Sequence, residues 1–554
     1  MWLINTETLK LESVVNPENV EYAILSHTWN EGEEVTFQEL QQLQNPHHCQ
    51  AARTKKGFQK IDMTCRLARK HGYDYAWVDT CCIDKSSSSE LSEAINSMFR
   101  WYKGSKRCYA YLSDYPRSTI RSSFAGCKWF TRGWTLQELI APTSLTFYNQ
   151  DWKALGSKHE LREEISRITR IPEDVLCGQR DVTEVNVVFR MSWAAGRETK
   201  RAEDIAYCLF GIFDVNLAML YGEGQKAFLR LQEEICRRVH DWTLFAWKTD
   251  TDQGHGRGIF AYSPEEFKYA STEIHKEFPL AGDISVSSRG VIIDNVQLSI
   301  IEGQGLVLPL NLFQKVSGQG HYVRGGIFLK KALNGYARVK TDQLFFNNPW
   351  AKENLLPSEQ INIISWGNIP MKRPPYCLDL STSDSIEIQR VCPRRHWDPY
   401  QNAFIGARNA LVELEVRSED GESLKLLALY YFHDPQILKH AIIDSNGPCW
   451  GNAQANLGKA DASLSWTGEL SNFFARHSNA NLGAGRWRRQ MTGITSFDIE
   501  GHLRQSEMGW EVWISEIPRP QRLLLLEPPK PEEDYPWDKQ LVLREPRAYS
   551  RIRR

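Results

Sequence analysis

Tyr22-Ala-Ile-Leu-Ser26 is the stretch on which the fold turns. It is a short apolar run that closes on a polar residue, and His27, Thr28 and Trp29 follow it. An uninterrupted run of this length, bounded by polar residues, reads as a buried strand. The same form returns at Tyr75-Ala-Trp-Val-Asp79, Cys108-Tyr-Ala-Tyr-Leu112 and Ser144-Leu-Thr-Phe-Tyr148. Between the first two runs, Phe58, Ile61, Cys65 and Ala68 recur at helical spacing in a basic segment. Between the second and third, four serines and Glu90 give a helix-start signal. Leu91, Ile95, Met98, Phe99 and Tyr102 then form one helical stripe. Strands alternating with helices predict an α/β domain over 1–155, a parallel sheet with helices on both faces. Ligands of such sheets sit beyond the carboxyl ends of the strands. That places Ser26 to Trp29, Asp79 to Asp84 and Asp114 on one rim.

Residues 156–250 read as a helical extension. Leu161, Ile165 and Ile168 make one stripe, Ile205, Leu209 and Ile212 a second, and Phe228, Leu231 and Ile235 a third. Period-two alternation then takes over in Val286 to Leu312, Gly326 to Val339, Ala410 to Val416, Leu424 to Tyr431 and Trp510 to Ile517. This predicts a β-rich domain over 251–527, a sandwich or irregular barrel. Pro528-Pro-Lys-Pro-Glu-Glu-Asp534 opens an expected exposed tail over 528–554. Its Arg544, Arg547, Arg551, Arg553 and Arg554 read as a solvated basic end.

The 554 residues carry 42% apolar and 24% charged side chains and a formal charge of -1. That composition is ordinary for a soluble protein and gives no reason to expect a nucleic-acid partner. No uninterrupted apolar stretch is long enough for a membrane span, and the N-terminus has no signal-peptide form. The 12 cysteines stand singly except for Cys81 and Cys82, with no CxxC pair and no metal-ligand spacing. The expectation is a reducing, cytoplasmic setting, with no bound metal and no cofactor.

Three longer stretches carry a family resemblance. They are Tyr22-Ala-Ile-Leu-Ser-His-Thr-Trp29, Ala76-Trp-Val-Asp-Thr-Cys-Cys-Ile-Asp84 and Lys128-Trp-Phe-Thr-Arg-Gly-Trp-Thr-Leu-Gln-Glu-Leu-Ile-Ala-Pro142. In order and spacing they resemble the heterokaryon-incompatibility (HET) domain of filamentous fungi. Glu203-Asp-Ile-Ala-Tyr-Cys-Leu-Phe-Gly-Ile-Phe-Asp214 and Leu220-Tyr-Gly-Glu-Gly-Gln-Lys-Ala-Phe228 resemble the segment that follows it. The resemblance covers about residues 1–265. It implies a cell-death effector in fungal self/non-self recognition, with self-association through the HET domain and an unidentified protein trigger. The chain departs from the large family members in having no GxxxxGK[ST] loop and no repeat array.

The HET domain is in turn similar, distantly, to TIR domains, whose helix glutamate cleaves NAD in the enzymatic members. Trp134-Thr-Leu-Gln-Glu138-Leu139 stands in the matching place. The resemblance therefore implies a TIR/flavodoxin-like fold and Glu138 as the catalytic group, with NAD as substrate. The chemistry is consistent with a single carboxylate. Nicotinamide departs neutral, so no acid is required. One buried negative charge can stabilise the oxocarbenium-like ribose left behind, whereas glycosidases with alkoxide leaving groups use two carboxylates. Trp29, Trp134 and Trp77 are candidate stacking surfaces, and Arg132 is a candidate bidentate clamp for the diphosphate.

Blander readings stand beside these. Glu138 also reads as a structural acid paired with Arg132 or Arg107. Ser26 reads as a turn cap, and His27 as a satisfied polar residue or a substrate contact. Asp79 reads as a ribose partner or as a loop cap. Cys81 and Cys82 read as buried fillers, and Gly222-Glu-Gly224 as a turn. The rival to an enzyme is a non-enzymatic signalling module of the same fold, or an inactive relative kept for binding.

Overall fold

The computed structural model describes residues 1–518 apart from 45–48, 116–123, 253, 271–273, 276–281, 289, 316–321, 347–352, 370, 372–375, 393, 408, 418–422, 435–436, 446–484, 490–496 and 507–508. The expected tail over 528–554 lies outside the described residues.

The N-terminal sheet contains β1 (Trp2–Asn5), β2 (Leu11–Ser13), β3 (Tyr22–His27), β4 (Tyr75–Trp77), β5 (Arg107–Tyr111), β6 (Leu145–Tyr148) and β7 (Ala154–Ser157), in the order β2-β1-β4-β3-β5-β6-β7. The four strands read from sequence are all present. They form the parallel centre, with β3 pairing β4 on one side and β5 on the other, and β5 pairing β6. The sheet as a whole is mixed rather than parallel, because β1, β2 and β7 add antiparallel edges. Those three strands are short and partly exposed, so neither a continuous apolar run nor a clean alternation announced them.

The helices that bear on the site are α1 (Phe37–Gln41), α2 (Cys49–Thr54), α3 (Lys56–Lys70), α4 (Ser88–Gly104) and α5 (Thr135–Ile140). α3 joins β3 to β4 and α4 joins β4 to β5. Since β3 lies between β4 and β5, the two crossovers run in opposite directions. Right-handed connections then put α3 and α4 on opposite faces, and the chain changes its winding sense beside β3. α4 starts as its sequence predicts, with the Ser87 hydroxyl accepting from the Glu90 N–H at 3.3 Å. Its Tyr102 hydroxyl donates to the Leu25 carbonyl at 2.9 Å, tying the helix to β3.

Residues 162–238 add α6 (Arg162–Thr169), α7 (Glu173–Leu176), α8 (Val187–Ser192), α9 (Asp204–Tyr207), α10 (Phe210–Phe213) and α11 (Lys226–Arg238). One hydrophobic core runs from Leu3 through this segment into strands as far as Ile363. A second core, from Leu378 to Ile514, lies between a six-stranded and a four-stranded sheet. That face-to-face arrangement is a sandwich, and the region is β-rich as expected. Among the described residues no helix is long and apolar enough to cross a membrane.

Candidate functional site

β3 ends in Ser26 and His27, whose side chains leave opposite faces of the strand. On the α5 side, the Ser26 hydroxyl donates to Glu138 Oε2 at 2.5 Å. It accepts from the Trp129 indole N–H at 2.8 Å. Ser26 is therefore not a turn cap. Its one proton is committed to the carboxyl, and Trp129 fixes its rotamer. On the other side, His27 Nε2 lies 2.9 Å from Asp79 Oδ1. Asp79 Oδ2 accepts from the Trp29 indole at 2.9 Å. Asp79 is thus a bridge that orients both His27 and Trp29. Asp84 behaves as a loop cap, accepting from the Ser86 N–H at 2.9 Å.

The loop after β3 is held from beneath by Lys60. Its ammonium lies 3.0 Å from the Thr28 carbonyl and 2.5 Å from Glu34 Oε1, and both side chains are largely shielded from water. The α3 residue Gly57 passes so close that an added Cβ would sit 2.7 Å from the Glu34 Cα. Only glycine permits that approach.

Glu138 lies in α5 and is 4% exposed. Burial pushes its carboxyl up to about 8, and the Asp79 charge adds to this. The hydroxyls of Ser26 and Tyr102 and the Arg197 guanidinium pull the other way. Desolvation dominates, as expected for a carboxyl with no paired cation. Asp79 differs. Burial would raise it, yet the hydrogen bond and charge of His27, with Lys85 and Trp29, hold it below its ordinary value. Two carboxyls facing one space are thus split, one proton-bearing and one ionised. Such splitting is a common mark of acid–base sites, though structural networks produce it too.

α5 itself is anchored at its C-terminal end. The Lys158 ammonium, buried, donates to the carbonyls of Leu139 (3.1 Å), Ile140 (3.4 Å) and Pro142 (2.5 Å). This satisfies carbonyls that a helix end leaves unpaired. Burial lowers the Lys158 ammonium to about 8.

Glu138 looks into a cavity of about 370 Å³ that it shares with His27, Trp29, Asp79, Arg132 and Trp134. Of the seven residues singled out from sequence, six line this space, and the seventh, Ser26, is bonded directly to Glu138. Trp77 does not belong to it. It is fully buried against Trp101 and Tyr102 and offers no stacking surface. One face of Trp29 is covered by the Lys85 ammonium, 3.8 Å from the ring centroid. Neither Arg132 nor Arg107 pairs with Glu138: Arg107 lies 3.5 Å from His71, and the Arg132 side chain has no ion-pair partner among the described residues. Cys81 is buried and its thiol is pushed well up, mainly by burial, which leaves it unreactive.

The far wall is built from residues outside those singled out from sequence. Lys200, Arg201, Asp204 and Tyr221 come from the segment after α8 and close the cavity over the strand ends. A parallel bridge between Arg132 and Glu198 brings that segment in. Gly133 makes room for it, since an added Cβ would lie 2.5 Å from Thr199 Cγ2. Glu203 Oε1 accepts from the N–H groups of Gly222 (2.8 Å) and Gly224 (3.0 Å), and Tyr221 donates to Asp204 Oδ1 at 3.1 Å. Gly222 and Gly224 are a turn, with φ of 104° and 59°. The motif stretches at 203–214 and 220–228 carried the signal for this wall, but nothing in their spacing shows that they fold back over residues 26–138.

Comparison with known proteins gives three findings. Residues 22–121 match the family model described as heterokaryon incompatibility protein (HET). Residues 226–281 match a domain of unknown function, DUF8212. Over 224 residues the chain is 46% identical to vegetative incompatibility protein HET-E-1 of Podospora anserina, a match spanning 39% of this chain and 16% of that protein. No solved structure matches.

Proposed function

We propose, from the premise that residues 22–121 form a HET domain, that this chain is an incompatibility-type cell-death effector that hydrolyses NAD. The role follows the relative's printed name. One observation supports the reaction: the buried carboxyl of Glu138, without an ion-pair partner among the described residues, lines a cavity at the strand ends. The TIR-like reading is supported by the parallel strand order and by the position of α5 against β3.

In the proposed reaction the bond between ribose C1′ and the nicotinamide nitrogen breaks. Both electrons leave with the ring, which departs neutral. The positive charge left on C1′ and the ring oxygen is met by the Glu138 carboxylate in a site that excludes water from one side. Water adds at C1′ and gives up one proton, leaving nicotinamide, ADP-ribose and H⁺. At rest Glu138 holds a proton near neutral pH. The cationic pyridinium of the bound substrate is the partner that draws the carboxyl into its charged form. Ser26, held by Trp129, keeps the carboxyl oriented through a single hydrogen bond.

A module acting purely by association would carry Glu138 on an open face, and the carboxyl's burial beside a cavity speaks for the enzyme. Self-association and an unidentified protein trigger belong to the same proposal. The test is release of nicotinamide from NAD by the full chain, compared with Glu138→Gln. Hydrolysis by the first and none by the second is expected. Equal silence under forced clustering favours the adaptor.

A further inference from the structure

The cavity has a feature that a carboxylate alone does not explain. Four cations surround it: Lys85 and Arg132 from the domain that carries Glu138, and Lys200 and Arg201 from the wall segment. Among the described residues, the side chains of Lys85, Arg132 and Arg201 make no side-chain hydrogen bond or close ion pair, and Lys85 and Arg201 feel Asp79 and Asp204 only at longer range. Lys85 rests on Trp29, and the Arg201 guanidinium lies 4.1 Å from the centroid of Tyr221. Lys200 has only an exposed contact with Glu31 at 3.5 Å. The acids of the cavity offset only part of this charge: Asp79 lies in the field of His27 and Lys85, Asp204 in that of Arg201, and Glu138 rests in its neutral form, so the cations remain in excess. An excess of cations facing one cavity suits a polyanion, and arginine forks suit phosphate oxygens.

We infer that the cavity binds a diphosphate-bridged nucleotide across two separate parts of the chain, with Arg201 of the wall segment and Arg132 of the sheet domain both holding the diphosphate. This rests on the reading of the cavity as a nucleotide site and adds a specificity residue outside the matched HET residues. Tyr221 pre-orders Arg201 by stacking, which limits the rotamer entropy lost on binding. Asp204 holds Tyr221 in place through its hydroxyl. The functional unit therefore extends past residue 121 at least to Tyr221. A ligand lacking the diphosphate loses the contact that joins wall to sheet.

The experiment is calorimetric titration of the full chain with ADP-ribose and, separately, adenosine, for the wild type, Arg201→Gln, Arg201→Lys and Glu138→Gln. Wild type and Glu138→Gln should bind ADP-ribose more tightly than adenosine, with affinity falling as salt rises. Arg201→Gln should weaken ADP-ribose by roughly 10- to 100-fold, the loss of one charge-assisted hydrogen-bonded pair, and leave adenosine unchanged. Arg201→Lys should lie between, since charge persists without the fork. Equal binding of ADP-ribose by wild type and Arg201→Gln overturns the inference, as does failure of the wild type to prefer ADP-ribose over adenosine. The reaction is judged apart. Tight ADP-ribose binding with no nicotinamide release leaves the clamp standing and removes the hydrolase. Nicotinamide release with an unchanged KM in Arg201→Gln does the reverse.

Discussion

In the proposed reaction Glu138 is charged when it meets a cationic ribose, yet burial keeps its proton on up to about 8. Its ionisation should therefore be visible in kinetics. kcat/KM for NAD, which reports the free enzyme, should rise with pH, reach half its limit at about 8 and level off above that. Ser26→Ala removes a hydrogen bond that favours the charged form. It should displace that rise to higher pH and reduce the rate at pH 7. A profile unmoved by the substitution would show that the bond does not tune the carboxyl. Stability carries the same signature with a definite sign. Between its ordinary value of 4.5 and about 8, Glu138 holds its proton in the folded chain and loses it in the unfolded one. The folded state then binds more protons, so stability falls as pH rises through that window. Glu138→Gln has no such titration. Denaturant midpoints at pH 5 and pH 8.5 should show the wild type losing on the order of 1–3 kcal/mol relative to Glu138→Gln. Parallel behaviour would mean that the carboxyl is hydrated.

At the scale of elements, α5 is six residues long and too short to be stable by itself. It depends on Lys158 at one end and on packing against α4 and β3. Lys158→Met leaves three carbonyls without that donor and should cost about 1–3 kcal/mol. Thermal unfolding measures that loss, and nicotinamide release should fall with it as α5 frays. Gly211 in α10 packs directly against Phe99 of α4, with no space for a methyl. Gly211→Ala should cost about 1–3 kcal/mol by forcing the two helices apart. An unchanged melting temperature would contradict the packing. The central strands were legible because strands buried on both faces read as continuous apolar runs. Tyr22 to Leu25 and Tyr109 to Ala110 are of that kind. β1, β2 and β7 were not, because strands of three or four residues with half-exposed positions have no such signature. Glu138 and its rim partners were legible through motif resemblance and the rule for strand ends. Trp129 lay inside the quoted motif, but its bond to Ser26 depends on a contact spanning 103 positions that no local pattern encodes. The wall formed by Arg201 and Tyr221 is hidden for the same reason.

Across the whole molecule, the sheet, the helices up to α11 and the strands to Ile363 share one core. Arg338, fully buried, sits 3.7 Å from the Trp247 ring centroid and donates to the Phe245 and Trp247 carbonyls. Arg257, paired with Glu266, lies over the same ring. A cut after residue 250 would strip these contacts and expose Phe245, Trp247 and Leu244. Such a truncation should therefore be poorly soluble, whereas one after residue 370 keeps the first core intact. If the sandwich restrains the site, the longer truncation should raise toxicity on expression. Unchanged or reduced toxicity would remove the restraint idea. The central claim is a reaction at Glu138. Incubating the purified full chain with NAD and quantifying free nicotinamide tests it most directly. The account requires release by the wild type and none by a folded Glu138→Gln that still binds ADP-ribose. Release at equal rates by both proteins would contradict it, as would silence of the wild type at saturating NAD even when clustered.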